Sequence, residues 1–147
     1  MSHFATSKEE LPLASTDEIA AVVSTFENCT LPHKHWTHRA HLCVAIIYMR
    51  NMPMAEALPT LRENINRYNR ECGDPDGYNE TITALFIRKL DADAAAGHCE
   101  DSPVDELVRL QQTYPVSWLY QYYSKALIWS ERAKSEWVDP DIAPLDF

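Results

Sequence analysis

Four of the six histidines in this 147-residue chain lie within nine residues, at His33, His35, His38 and His41. Residues three apart on a helix share one face with their Cβ atoms about 5–6 Å apart, so His38 and His41 can converge on one metal ion or one small ligand. A divalent transition metal held in this way needs at least one further ligand from another segment. The alternative is that the pair hydrogen-bonds to backbone groups at the start of its helix or packs against Trp36. His33 and His35 precede that helix and are expected to face solvent.

The best source of a third ligand is the segment Tyr78-Asn79-Glu80-Thr81, which follows the turn-rich loop Cys72–Gly77. Glu80 would complete a set of two histidines and one carboxylate, which leaves open positions for dioxygen or substrate on iron. Glu80 could also act as a general base, and Asn79 could ligate through its amide oxygen or orient a substrate. A glutamate in a first helical turn is favoured by the helix dipole alone, so a purely structural role for Glu80 stays open.

Aromatic and basic side chains would complete the pocket. Tyr78, which is also a candidate catalytic residue, and Trp36 are expected to form its wall. Trp36 and Tyr123 are candidate substrate-binding residues, and the aromatic group of Tyr123 is expected to be core or pocket wall. Arg39 could bind an anionic substrate, or it could be a solvated surface charge. The chain has no Gly-x-Ser-x-Gly motif, Walker A loop, dinucleotide-binding fingerprint or EF-hand loop, so the sequence gives no support to serine hydrolysis or nucleotide chemistry.

The composition limits the class of partner. With 22 acidic and 13 basic residues the formal net charge is −9, which disfavours binding to nucleic acid and to anionic membranes. The longest apolar run, Leu42–Met49, is far too short to span a membrane, and the start of the sequence has no signal-peptide pattern. The four cysteines form no Cys-x-x-Cys pair and are expected to be reduced thiols. We therefore expect a cytoplasmic protein.

Helices are the elements that must position these residues, because three glycines are too few for a sheet with many turns. We predict an all-α fold, a compact bundle of four to five helices with an extended C-terminal wrap, in which residues 1–15 are frayed and residues 16–147 form a single domain. Apolar periodicity and capping residues predict the main helices at Thr16–Asn28, Thr37–Asn51, Met54–Glu71, Tyr78–Ala96 and Ser102–Tyr114, with shorter ones near Trp118–Tyr123 and Ser130–Trp137.

Four separated motifs resemble those of a family of small, largely uncharacterised bacterial helical proteins. They are Trp36-Thr37-His38-Arg39-Ala40-His41-Leu42, Gly77-Tyr78-Asn79-Glu80-Thr81-Ile82-Thr83, Tyr122-Tyr123-Ser124 and Trp137-Val138-Asp139-Pro140-Asp141. The resemblance covers roughly Thr16 to Leu145. In that family the second motif reads Gly-Tyr-His-Glu-Thr, which implies a metal site of three histidines. This chain has Asn79 at the third position, so either Glu80 or His35 substitutes in a weakened site, or the metal is lost and the pocket is kept.

The leading functional hypothesis is a metal-dependent enzyme, an oxidoreductase or a hydrolase, that acts on a small molecule. His38, His41 and Glu80 would hold a divalent transition metal, for which iron, copper, zinc and manganese are all open. The alternative is a metal-free helical module that binds a small molecule in the same pocket. A third hypothesis is an interaction domain, for example a homodimer, in which the histidines are incidental.

Overall fold

Helices make up all of the regular secondary structure in residues 7–147, the range that the computed structural model describes. This confirms the all-α class predicted from the sequence. None of the helices in this range is long and apolar enough to cross a membrane. Short 3₁₀ segments, His33–His35 and Val116–Gln121, lie in the connections. The α-helices are α1 (Thr16–Glu27), α2 (His38–Asn51), α3 (Met54–Cys72), α4 (Glu80–Ala95), α5 (Pro103–Thr113), α6 (Lys125–Ile128) and α7 (Glu131–Ser135).

Side-chain caps begin six of the seven α-helices described, and α3 begins after Pro53 without one. The side-chain oxygens of Thr37, Asn79 and Ser102 each accept a hydrogen bond from the backbone N–H three residues further on. Each such cap stabilises its helix by about 1 kcal/mol. The first helix begins at Thr16, as predicted, and its cap is Ser15, whose side-chain oxygen accepts from the Glu18 N–H. The Glu18 carboxylate in turn accepts hydrogen bonds from the Ala14 N–H and from the Ser15 hydroxyl, which precede the helix.

α2 is the central helix of the domain. α1, α3, α4 and α5 all pack against it, and the five consecutive residues from Leu42 to Ile46 are buried. A helix that is apolar most of the way round has no face to offer to solvent, so it is covered on several sides, as the sequence predicted. The first turns of α2, which carry His38 and His41, therefore lie at the edge of the main core.

The C-terminal third folds back onto α4. The Thr81 hydroxyl donates to the carbonyl of Glu136 at 2.8 Å, and the fully buried Tyr123 donates its hydroxyl to the carbonyl of Val138 at 2.6 Å. After α7 the chain continues without regular structure, and the Ile142 N–H donates to the Tyr122 carbonyl at 2.9 Å. These bonds hold the wrap and fix α6 and α7 beside the start of α4.

The described part of the N-terminal segment lies against the domain rather than fraying from it. Leu13 is buried, and the Glu9 N–H donates to the carbonyl of Lys34 at 2.7 Å. The Arg39 guanidinium donates to the carbonyl of Leu11 at 2.8 Å. Apolar side chains at positions 11 and 13 are spaced to reach the core from an extended chain, a pattern too short for helical periodicity to reveal. Residues 1–6, also expected to be frayed, lie outside the described range.

Candidate functional site

A cavity of about 260 Å³ lies between the first half of α2, the middle of α3 and the start of α4. We call it the histidine cavity. Two helical stripes face each other across it, and α3 adds Leu61 and Ile65. The α2 stripe is His38, His41, Leu42 and Ala45; the α4 stripe, with its cap, is Asn79, Ile82, Thr83, Phe86 and Ile87. Both stripes follow the i, i+3, i+4, i+7 spacing of one helix face.

His41 presents a neutral imidazole to this cavity. Its Nδ1 lies 2.7 Å from the carbonyl oxygen of Thr37, which can only accept, so Nδ1 carries the proton and Nε2 keeps its lone pair. The ring stacks on Trp36 with 3.7 Å between centroids. Burial lowers the pKa of His41 to about 4, so the ring is uncharged at neutral pH.

The Nε2 atom of His41 keeps a lone pair that can serve the cavity. No residue of the described chain hydrogen-bonds to it. Across residues 7–147, no buried side-chain nitrogen or oxygen lacks a partner. Nε2 is therefore not sealed in the protein, and since His41 lines the histidine cavity, this nitrogen is reached through it. It can accept one hydrogen bond from a bound molecule.

His38 is held in a similar way by a different helix. Its Nε2 lies 3.3 Å from the carbonyl oxygen of Tyr114, so this nitrogen is the donor and Nδ1 keeps the lone pair. The ring meets Phe86 edge-on, with 5.3 Å between centroids. Burial lowers the pKa of His38 and the Tyr114 bond only partly offsets it. Backbone hydrogen bonding and packing on Trp36 were the structural alternatives raised for this pair, and both occur.

Asn79 uses both ends of its amide within the fold. Oδ1 accepts from the Ile82 N–H at 3.0 Å, which caps α4, and Nδ2 donates to the carbonyl of Ile128 at 2.8 Å, which ties α4 to α6. The side chain is buried, at 7% exposure. Asn79 therefore lines the cavity, but both its Oδ1 and its Nδ2 already form hydrogen bonds within the protein.

Glu80 does not line the histidine cavity. Arg62 of α3 donates to both of its carboxylate oxygens, at 2.7 and 2.8 Å, and the Tyr78 hydroxyl donates to Oε1 at 2.7 Å. Burial opposes ionisation, but these hydrogen bonds outweigh it and lower the pKa of Glu80. Its carboxylate lines a separate, open polar groove beside Arg62. Nowhere in residues 7–147 do three or more His, Cys, Asp or Glu side chains come together in an arrangement that could hold a metal ion.

The three residues predicted to bind substrate lie outside the cavity lining. Trp36 is buried behind His41 and stacks on Phe26 with 4.6 Å between centroids. The Arg39 guanidinium is bonded to the Leu11 carbonyl and to Gln111. Tyr123 is fully buried and bonded to the wrap. The structure thus brings His38, His41, Tyr78 and Asn79 to one cavity, and it gives Trp36, Arg39, Tyr123 and Glu80 other contacts.

Two exposed apolar side chains at the cavity were not anticipated. Val116 and Trp129 both line it, and they are 37% and 49% exposed. They come from the 3₁₀ segment and from the residue after α6, which carry no periodic pattern. Thr83 and Phe86 could have been found, because they continue the helical stripe that begins at Asn79.

No family model, curated protein or solved structure matches this chain. The family resemblance carried by the motifs therefore stays a prediction, and the function is argued from the cavity.

Proposed function

We propose that the protein binds a small, uncharged, largely apolar molecule in the histidine cavity and recognises it through a hydrogen bond to Nε2 of His41. The supporting observation is a mostly apolar cavity lined by two histidines that each keep a lone pair, with no ionised side chain in the lining. Its two histidines are neutral, because burial lowers the pKa of each. A cavity of about 150 Å³ holds benzene, so the volume of about 260 Å³ suits a bicyclic ring.

The polar groups around the cavity define which hydrogen-bonding role the ligand must play. The Tyr78 hydroxyl donates its hydrogen bond to the Glu80 carboxylate, and the Thr83 hydroxyl donates to the Asn79 carbonyl at 2.8 Å. The Nδ2 group of Asn79 donates to Ile128. With both hydroxyl protons and one of the two Asn79 amide protons used inside the protein, the ring nitrogens that keep a lone pair, Nε2 of His41 and Nδ1 of His38, favour a ligand that donates. The ligand should therefore be a donor, with a hydroxyl or ring N–H at one end and an apolar body.

A matched pair of probes tests this assignment. Indole and benzofuran have the same bicyclic shape, but only indole has an N–H to donate. A net hydrogen bond contributes about 1 kcal/mol, so indole should bind about fivefold more tightly than benzofuran to the wild-type protein at pH 7. Affinities measured by ligand-observed NMR would show this difference.

The variant His41→Phe keeps an aromatic ring on Trp36 and removes the acceptor. It should bind both probes with similar affinity, while His35→Phe, outside the cavity, should behave as the wild type. Failure of both probes to bind the wild type would count against the cavity as a binding site. Equal affinities in the wild type would count against His41 as the acceptor.

The metal-dependent enzyme remains the second candidate, and the orientation of His41 favours it. A ligating histidine commonly donates its other ring N–H to a backbone carbonyl, as Nδ1 of His41 does. The donor set as arranged does not fit a metal centre, however. Two histidine lone pairs need a third ligand, and Asn79 or Glu80 could supply one only by leaving Ile128 or Arg62. Metal analysis separates the two candidates. Untagged wild-type protein and the variant His38→Ala/His41→Ala are each incubated with iron, copper, zinc or manganese, and their metal content is measured. Stoichiometric metal in the wild type that is lost in the variant supports the enzyme.

A further inference from the structure

A second cavity, of about 290 Å³, is lined by sulfur-containing residues where α2 ends and α3 begins. We call it the sulfur cavity. Met49, Met52 and Met54 line it together with Cys99, so three of the four methionines of the chain meet one of its four cysteines. It shares no lining residue with the histidine cavity.

The local sequence explains why the methionines gather there. Met49 lies in the last turn of α2, Met52 follows that helix in an extended conformation, and Met54 is the first residue of α3. Pro53 between them cannot continue α2 and suits the start of α3. The chain therefore turns a corner, and the three methionines line the cavity at that corner. All three are partly buried and packed against the core, so each remains accessible from the cavity.

Cys99 is held over this corner by its neighbours. Arg50 donates to the carbonyl oxygens of Asp101 and Glu100, at 3.0 and 2.6 Å. The Glu100 N–H donates to the carboxylate of Glu106 at 3.0 Å. The loop that carries Cys99 is thus tied to the end of α2 on one side and to α5 on the other. The thiol itself is exposed and free of any disulfide.

Methionine in a surface groove can be simple gap filling, because its flexible side chain fits irregular spaces. Gap filling explains the three thioethers, but it does not explain a tethered, exposed thiol at the same opening. Thiolate and thioether are soft ligands, which select Cu(I), zinc and iron–sulfur clusters. Zinc and iron–sulfur sites are built from several cysteines, histidines or carboxylates, so a set of one thiolate and three thioethers favours Cu(I). The lining also includes two carboxylates and a guanidinium: Glu106, which is already paired with Arg109 at 2.8 Å, Asp91, and Arg50, which is bonded to the loop carbonyls.

We propose that the sulfur cavity binds one Cu(I) ion through the thiolate of Cys99 and the methionine thioethers. Binding releases the thiol proton to solvent and forms the copper–sulfur bonds without any change in oxidation state. The resulting copper–thiolate pair is electrically neutral.

The test is an anaerobic titration of the full chain with Cu(I) in competition with a coloured Cu(I) chelator. The wild type should withdraw one equivalent of copper from the chelator. Met52→Leu/Met54→Leu, which conserves side-chain volume, and Cys99→Ser should each lose that equivalent. Cys72→Ser, which alters a thiol outside this cavity, should retain it.

A second measurement reports on the thioethers directly. Titration of ¹³C-methyl-methionine protein with Ag(I), a redox-inert soft ion, should shift the methyl signals of Met49, Met52 and Met54, and Cys99→Ser should reduce those shifts. Because Cys99 is exposed, its serine variant is expected to fold, so it decides the question even if the leucine variant unfolds. Copper uptake that survives Cys99→Ser, or that disappears only in Cys72→Ser, would overturn the proposal.

Discussion

Replacing Asn79 with alanine removes the partly buried cap of α4 and the buried hydrogen bond that joins α4 to α6. The loss of the cap to the Ile82 N–H should cost about 1 kcal/mol. The carbonyl of Ile128, a fully buried residue, loses its 2.8 Å donor, and an unsatisfied buried acceptor costs a further ~1–3 kcal/mol. We therefore expect the free energy of unfolding to fall by roughly 2–4 kcal/mol.

Urea unfolding followed by circular dichroism measures this loss, and two variants separate its parts. Asn79→Ser keeps an oxygen that can cap α4 but has no amide to reach Ile128, so it should lose only the larger part. Ser102→Ala removes a single cap at the start of α5 and should cost about 1 kcal/mol. If Asn79→Ala costs no more than Ser102→Ala, the link from Asn79 to Ile128 contributes nothing and the reasoning is refuted.

Three further predictions follow from the buried polar groups and the cavity rim. Burial lowers the pKa of His41 from 6.5 to about 4, so between these pH values the unfolded chain binds more protons than the folded one. The free energy of unfolding should therefore fall by about 2 kcal/mol from pH 7 to pH 5 because of His41. In His41→Phe the urea midpoint should fall correspondingly less over the same pH range. Tyr114→Phe removes the hydroxyl that donates to buried Asp93 at 2.6 Å and should cost about 1–3 kcal/mol. Tyr120→Phe, whose hydroxyl accepts from Trp129 at the surface, should cost much less, and equal losses would contradict the assignment. Trp129→Ala should leave stability within about 0.5 kcal/mol but weaken indole binding, whereas Ile142→Ala, also exposed and away from the cavity, should change neither; unchanged indole affinity in Trp129→Ala would show that the rim does not contact the ligand.

The parts of the structure that follow local rules could be predicted from the sequence. The apolar residues of α2 wrap most of the way round, and Thr37 marks its start, so both its position and its burial were foreseen. The spacing of His38 and His41 placed both on one helix face, and both line the histidine cavity. In each case the information lies within one or two helical turns.

The parts that depend on distant partners could not be predicted. Glu80 forms an ion pair with Arg62, which lies 18 positions earlier on α3. The sequence spacing of the two residues does not predict this ion pair. Asn79 is committed to Ile128, at the end of a four-residue helix that is too short to show periodicity. The sequence thus predicted a pocket beside His38 and His41, but it placed Glu80 in that pocket, whereas Glu80 forms an ion pair with Arg62 that joins α3 and α4.

The central claim is that His41 offers an unprotonated Nε2 to a hydrogen-bond donor in the histidine cavity. Nitrogen-15 NMR of histidine-labelled protein at pH 7, with and without indole, tests it most directly. We predict that His41 is the neutral tautomer with the proton on Nδ1, and that indole shifts its Nε2 signal upfield while benzofuran does not. A protonated Nε2 at pH 7, or indole binding that leaves this signal unmoved, would contradict the account.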